Sequence, residues 1–292
     1  MFYHAVNMSV TYADNQKYIK QTSLLIDDVL KKKSLTNHLL ILGAGNMNDL
    51  SLDFFLRKFE RVTLTDIDVN SMEQHMKNNH KNPKISIKQM DYLGLSQSGF
   101  FEDLKDLLLN ATSKDEVKSI VTSKIQNMLT YHFSPNFDQG FDVVYISPIY
   151  TQLFYRQLES YVSALGQEGF RKELMEESLS VALQEMIHVI DHFNKEVGKL
   201  VKTNGVVFIA SDIFQLSNDS FSNQVRLAIE SQHDIEKLHQ EYQDTYGFGL
   251  GDYGLYSANT LLHLLKSKWF IWNQSKHQTY AVKFCAFEKI DE

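Results

Sequence analysis

The 292-residue chain reads as an α/β fold whose parallel sheet finishes with an antiparallel hairpin, and three stretches predict it. The apolar run His38 to Leu42 ends in Gly43-Ala44-Gly45-Asn46-Met47-Asn48-Asp49, the pattern of a buried strand turning sharply into a helix. Arg61 to Asp68 repeats the apolar pattern and ends in carboxylates, as the second strand of a βαβ unit does. Near the end of the chain, Lys268 to Asn273 and Thr279 to Glu288 alternate apolar and polar residues around the turn Gln274-Ser275-Lys276-His277.

Residues 1–36 hold one amphipathic helix, with Ile19, Leu24, Leu25, Val29 and Leu30 spaced to face a core, after a segment carrying Tyr3, His4 and Tyr12. This part is expected to form a helical lid over a domain spanning 37–292. Lys31-Lys32-Lys33 complements the C-terminal dipole of that helix. In the glycine turn the backbone approaches a ligand unhindered by Cβ atoms, and the next helix presents its amides to it. Asp66, beside that turn, suits the two hydroxyls of a ribose, so the expected cofactor carries an adenosine. Asn48 replaces the third glycine of a dinucleotide fingerprint, and no pyrophosphate loop is evident. Two helical insertions are expected. Residues 96–139 carry helical patterns over Phe101 to Leu109 and Lys114 to Leu129, and residues 151–201, beginning with Leu153 to Leu158 and continuing from Phe170 through Leu200, read as one helix or a broken pair.

The glycine turn and the closing hairpin together resemble the class I S-adenosylmethionine-dependent methyltransferases. Ile85 to Tyr92 matches the family's third strand, with Asp91 where the adenine amino group is bound. Phe141 to Tyr150 resembles the strand and loop beside the transferable methyl, and Leu200 to Asp212 resembles the helix, turn and fifth strand. The resemblance implies a doubly wound, seven-stranded, mostly parallel sheet with an antiparallel last strand. It implies S-adenosylmethionine as cofactor, held by Gly43, Ala44, Gly45, Asn46, Asp49, Asp66, Ile67, Asp91, Tyr92, Ser147 and Pro148. Tyr150, Asp212 and Tyr253 are expected to face the substrate. The chain departs from the family in two places: Ile41 stands where an acidic residue is usual, and Met47 where a third glycine is common. Asn46 and Asp49 either take over contacts to the amino-acid end of the cofactor, or Asp49 caps the following helix.

A net charge of -7 argues against a long nucleic acid as partner and favours a small-molecule or peptide acceptor. The lone cysteine, Cys285, excludes an intramolecular disulfide and a cysteine zinc cluster. No stretch is apolar enough to span a membrane, and a reducing cytoplasm is the expected compartment. His188 and His192 share a helical face at zinc-site spacing, but no third ligand matches and no metal is expected. Gly249 to Gly254 fits Gly-x-Gly-x-x-Gly without a preceding strand, so Tyr246 to Tyr256 is read as a flexible aromatic loop closing an acceptor pocket over Tyr150. Ser147-Pro148-Ile149-Tyr150 resembles in position the Asn/Asp-Pro-Pro-Tyr motif of amino-group methyltransferases, but Ser147 lacks its carboxamide or carboxylate. Asp212, Tyr150 and His132 are candidate bases by location alone, and no residue is singled out as catalytic. Two other readings stay open. Leu153-Phe154-Tyr155 resembles the strand-four loop of aminopropyltransferases, against which Ser147 counts, and the altered glycine turn allows a non-catalytic cofactor-binding protein.

Overall fold

The computed structural model describes residues 15–76, 82–231, 233–275 and 277–290, so Tyr3, His4 and Tyr12 of the expected lid and Lys276 of the hairpin turn lie outside the described residues. Its strands are β1 (His38–Leu42), β2 (Arg61–Asp66), β3 (Ile85–Gln89), β4 (Phe141–Ile146), β5 (Val201–Leu216), β6 (His263–Asn273) and β7 (Thr279–Glu288). They form one sheet in the order β3-β2-β1-β4-β5-β7-β6. Pairing is parallel from β3 across to β5, and β7 runs antiparallel to both β5 and β6. The doubly wound sheet with a reversed last strand is therefore present.

Strand periodicity divides the core into two layers. Leu39 and Ile41 of β1 point to one face with Val143 and Tyr145 of β4, while Leu40 and Leu42 point to the other with Val144 and Ile146. The first face is covered by α1 (Gln16–Lys33), α2 (Leu52–Lys58) and α3 (Val69–His75). The second is covered by α4 (Phe100–Asn110), α5 (Lys114–Met128), α6 (Tyr155–Gln167) and α7 (Lys172–Leu200). Thus both expected insertions are helical, and the second is a broken pair, interrupted where Gly169 takes a φ of 99°. Beyond them α8 (Ser220–Ser231) and α9 (Ile235–Tyr246) pack on the far ends of β5 to β7 around Phe214, Val225, Ile235 and Trp269. Among the described residues no helix is long and apolar enough to cross a membrane.

Two expectations are corrected here. α1 is a packed layer of the domain rather than a lid: Tyr18, Ile19, Leu25, Ile26, Val29 and Leu30 are buried, and Lys33 pairs with Glu288 of β7. Leu24 is 62% exposed, because it lies one residue off the seam formed by Ile19, Thr22, Ile26 and Val29. The second correction concerns residues 246–256, which form no flexible loop. A three-residue link after α9 leads directly into α10 (Leu250–Leu261). Gly251 and Gly254 lie on one side of α10, where a Cβ would come within 2.7 Å of Ser211 Oγ and 2.3 Å of Tyr150 Cε2. These glycines permit close packing; they do not make a hinge.

Candidate functional site

The site gathers at the carboxyl ends of β1 to β5, where the strand order reverses direction on either side of β1 and β4. Gly43, Gly45 and Met47 all take positive φ, at 69°, 47° and 55°. Met47 thus keeps the left-handed backbone of the glycine it replaces, with its side chain buried in the core. The turn is fastened from three sides. Ala44 N–H donates to Thr65 O at 2.9 Å, Gly45 N–H to Asp66 Oδ2 at 2.9 Å, and Gly43 N–H to the Tyr92 hydroxyl at 2.7 Å.

Asp66 ends β2, and its other oxygen accepts Asp68 N–H at 2.9 Å. Burial raises its pKa against these hydrogen bonds. Each carboxylate oxygen retains acceptor capacity for a further donor. Ile67 follows it, with its carbonyl accepting Gln89 Nε2 at 3.2 Å. Asp91, just past β3, accepts Leu93 N–H at 3.1 Å and Ser96 N–H at 2.8 Å, and so closes the next turn. Tyr92 lies edge-on to Phe133 and Phe193, with burial raising its phenol pKa, and it braces the glycine turn from the sheet.

Buried polar side chains, Asn15, Asn48 and Asp49, gather beside this turn at the start of α1. Asp49 is not the cap of α2, since Ser51 Oγ accepts Phe54 N–H at 3.2 Å in that role. Instead Asp49 is 6% exposed, with Tyr145 Oη 3.5 Å from Oδ2, and burial pushes its carboxyl up to about 6. Asn46 Oδ1 accepts Asn48 N–H at 3.3 Å, and Asn15 Nδ2 donates to Asn48 O at 3.0 Å. Ile146 pairs with Ile209, so Asp212 lies three residues further along β5, past the end of β4, and acts electrostatically on Tyr18 and Tyr280. Burial also pushes Asp212 up to about 6. Tyr18, whose ring meets Phe270 and Trp272, is under the electrostatic influence of both carboxylates, and burial raises its phenol pKa. Tyr18 and Asn15 escaped sequence reasoning. Their only signal was a polar start to an otherwise apolar helical seam.

The remaining candidates do not meet there. Tyr150 is fully buried, its hydroxyl donating to Asn194 Oδ1 at 3.1 Å and its ring lying against Gly254, so it forms core and not the floor of a pocket. Tyr253 donates to Asp191 Oδ2 at 3.1 Å, which joins α10 to α7. His132 Nδ1 lies 3.0 Å from Glu196, one turn before α7 hands over to β5. Although burial opposes it, hydrogen bonds from Lys199 and Ser134 hold Glu196 at about 2. Neither Tyr253 nor His132 joins the strand-tip carboxylates through these contacts. His192 Nε2 is 2.6 Å from Tyr131 O, and His188 is exposed. Among the described residues no three His, Cys, Asp or Glu side chains are grouped to hold a metal.

No protein-family profile matches the chain, and no curated protein matches its sequence. Solved structures do match in shape. The chain is similar to the N-methyltransferase NodS from Bradyrhizobium japonicum WM9, at 11% identity and a TM-score of 0.44, covering 95% of this chain and 99% of that one. The NodS complex with S-adenosyl-L-homocysteine matches at 9% identity and a TM-score of 0.43, over 95% and 90% of the two chains. TehB from Haemophilus influenzae matches at 11% identity and a TM-score of 0.42, over 90% of this chain and 61% of that one.

Proposed function

We propose that the protein binds S-adenosylmethionine across the tips of β1 to β4 and transfers its methyl group to a small-molecule or peptide acceptor. The carrying observation is the glycine turn at the switch point of the sheet, with Asp66 latched to it, in a sheet whose last strand is reversed. An all-parallel sheet in the order 3-2-1-4-5-6 is the dinucleotide arrangement, whereas here β7 is inserted antiparallel between β5 and β6. The residues present suit the cofactor: Asp66 keeps acceptor capacity toward a ribose diol, and Asp91 stands at the next strand end toward the adenine. When bound, the sulfonium supplies an electrophilic methyl, so the chain's task is to align the acceptor and exclude water. Ser147, at the tip of β4, lies against the buried Asp49 carboxyl.

Calorimetry on Asp66→Ala tests this reading. Loss of a charged hydrogen-bonding group is expected to weaken S-adenosylhomocysteine binding by about tenfold to a hundredfold. Unchanged affinity in a folded variant removes Asp66 from the site. A second reading, aminopropyl transfer from the decarboxylated cofactor, draws on Asp49, which places an acidic group against Ser147. The mass of the product formed with each cofactor separates the two.

A further inference from the structure

We propose that Tyr92 and Thr65 are positioning residues: their hydroxyls close a hydrogen-bonded ring on the exit of β1 that holds the glycine turn ready for its ligand, in place of the acidic side chain absent at position 41. The inference rests on the cofactor-binding reading and adds to it two residues that act through the turn. Donor counting gives the direction of the ring. The Thr65 hydroxyl has one hydrogen, and it donates that hydrogen to Ile41 O at 2.9 Å. The 2.9 Å contact between Thr65 Oγ1 and Tyr92 Oη is therefore donated by the phenol, whose oxygen in turn accepts Gly43 N–H at 2.7 Å. Thr65 O, a longer alternative for the phenol at 3.2 Å, already accepts Ala44 N–H at 2.9 Å.

The path thus runs from Gly43 N–H through the Tyr92 and Thr65 hydroxyls to Ile41 O, and it begins and ends on the same stretch of backbone. Each hydroxyl gives one hydrogen bond and receives one, the arrangement in which neighbouring bonds polarise and strengthen each other. Packing fixes both carriers independently of any ligand. Thr65 is fully buried in β2, level with Leu42 of β1. The Tyr92 ring lies edge-on to Phe133 and Phe193, with ring centres 5.4 Å and 5.6 Å away.

Ile41 explains why the ring matters. Its side chain is packed with Leu39 in the layer beneath α1 and has no polar atom to offer, so only its carbonyl takes part. Gly43 also touches the β4 loop, where a Cβ would come within 2.3 Å of Ile149 Cγ2. Of the three amides that fasten the turn, Ala44 N–H relies on a backbone carbonyl and Gly45 N–H on Asp66, a carboxylate that must also serve the ligand. The Gly43 latch comes from a side chain with no such second duty. A turn held in advance costs less to order when the ligand arrives, so loss of the latch is expected to appear as weaker binding by a folded protein.

The test pairs calorimetric titration of S-adenosylhomocysteine with amide hydrogen exchange at Gly43 in the ligand-free protein, for Tyr92→Phe, Thr65→Val and the double variant. Each substitution removes one hydroxyl and keeps the shape that packs. Each single variant is expected to bind the thioether about tenfold more weakly, and the double variant no more weakly than the worse single one, because a ring is broken only once. Tyr92→Phe is also expected to exchange Gly43 N–H at least about tenfold faster. Faster exchange with unchanged affinity makes the pair a structural brace and overturns the positioning role. Weaker binding with unchanged exchange in Tyr92→Phe gives the phenol a direct ligand contact and overturns the ring, as do losses that simply add in the double variant. If the wild-type protein binds no thioether, the cofactor reading fails and the positioning role falls with it, whereas a wild-type protein that binds alongside unaffected variants fails the positioning role alone.

Discussion

Asp212 shows at the scale of one side chain how a desolvated carboxyl loads the fold that carries it. Its folded-state pKa of about 6 lies above the ordinary 3.8, so the native protein holds this proton more tightly than the unfolded chain does. The group therefore destabilises the free protein at neutral pH, and stability from it is regained as pH falls from above 6 toward 4. Asp212→Asn removes that cost. Chemical denaturation at neutral pH is expected to show the variant more stable by roughly 1–3 kcal/mol, with the gap closing near the ordinary carboxylate range. A gap that is absent at neutral pH, or that widens in acid, contradicts the burial of this charge. Asp49 obeys the same sign. Met47 shows a different strain, a left-handed backbone offset by a buried side chain, and it explains how the turn persists without its third glycine. The sequence marked Met47 as a departure, but the backbone angle it keeps is a property of the folded turn.

α10 shows how one residue type serves opposite ends in different elements. Gly254 lies against Tyr150, whose ring is fully buried and cannot yield, so Gly254→Ala is expected to cost about 1–3 kcal/mol through overpacking. Gly198, inside α7, has open space at its Cβ position, so Gly198→Ala is expected to gain about 0.5–1 kcal/mol from helix propensity. Urea melts of the two variants check the contrast; a neutral Gly254→Ala overturns the close packing of α10 on the β4 loop. Local pattern made the glycine-rich stretch look like a loop, because composition does not reveal which glycines face a neighbour. The helices of the two insertions were legible for the opposite reason. Their apolar residues recur at helical spacing, as Phe100, Leu104 and Leu108 do, and burial follows that spacing.

Over the whole molecule, ligand binding and stability are linked, because a site assembled from the tips of β1 to β5 exists only when the sheet is formed. S-adenosylhomocysteine at about a hundredfold excess over its Kd is expected to stabilise the fold by about 2.7 kcal/mol, roughly 4–5 °C in a thermal melt. No shift at saturating concentration counts against a binding site at the switch point. The sequence by itself determined the order of the strands, the helical insertions before and after β4, the glycine turn after β1, the carboxylate ending β2 and the closing hairpin. These are local, written in the continuous apolar run of Leu39 to Leu42, in the β-rich pattern of Thr279 to Glu288 and in the punctuation between elements. Only the tertiary structure decided that Asp49 is buried against Tyr145, that Tyr150 is core, and that α1 is a layer of the domain. Those outcomes depend on the register of β4 against β5 and on the docking of helices across the sheet, pairings between distant segments that no local periodicity encodes.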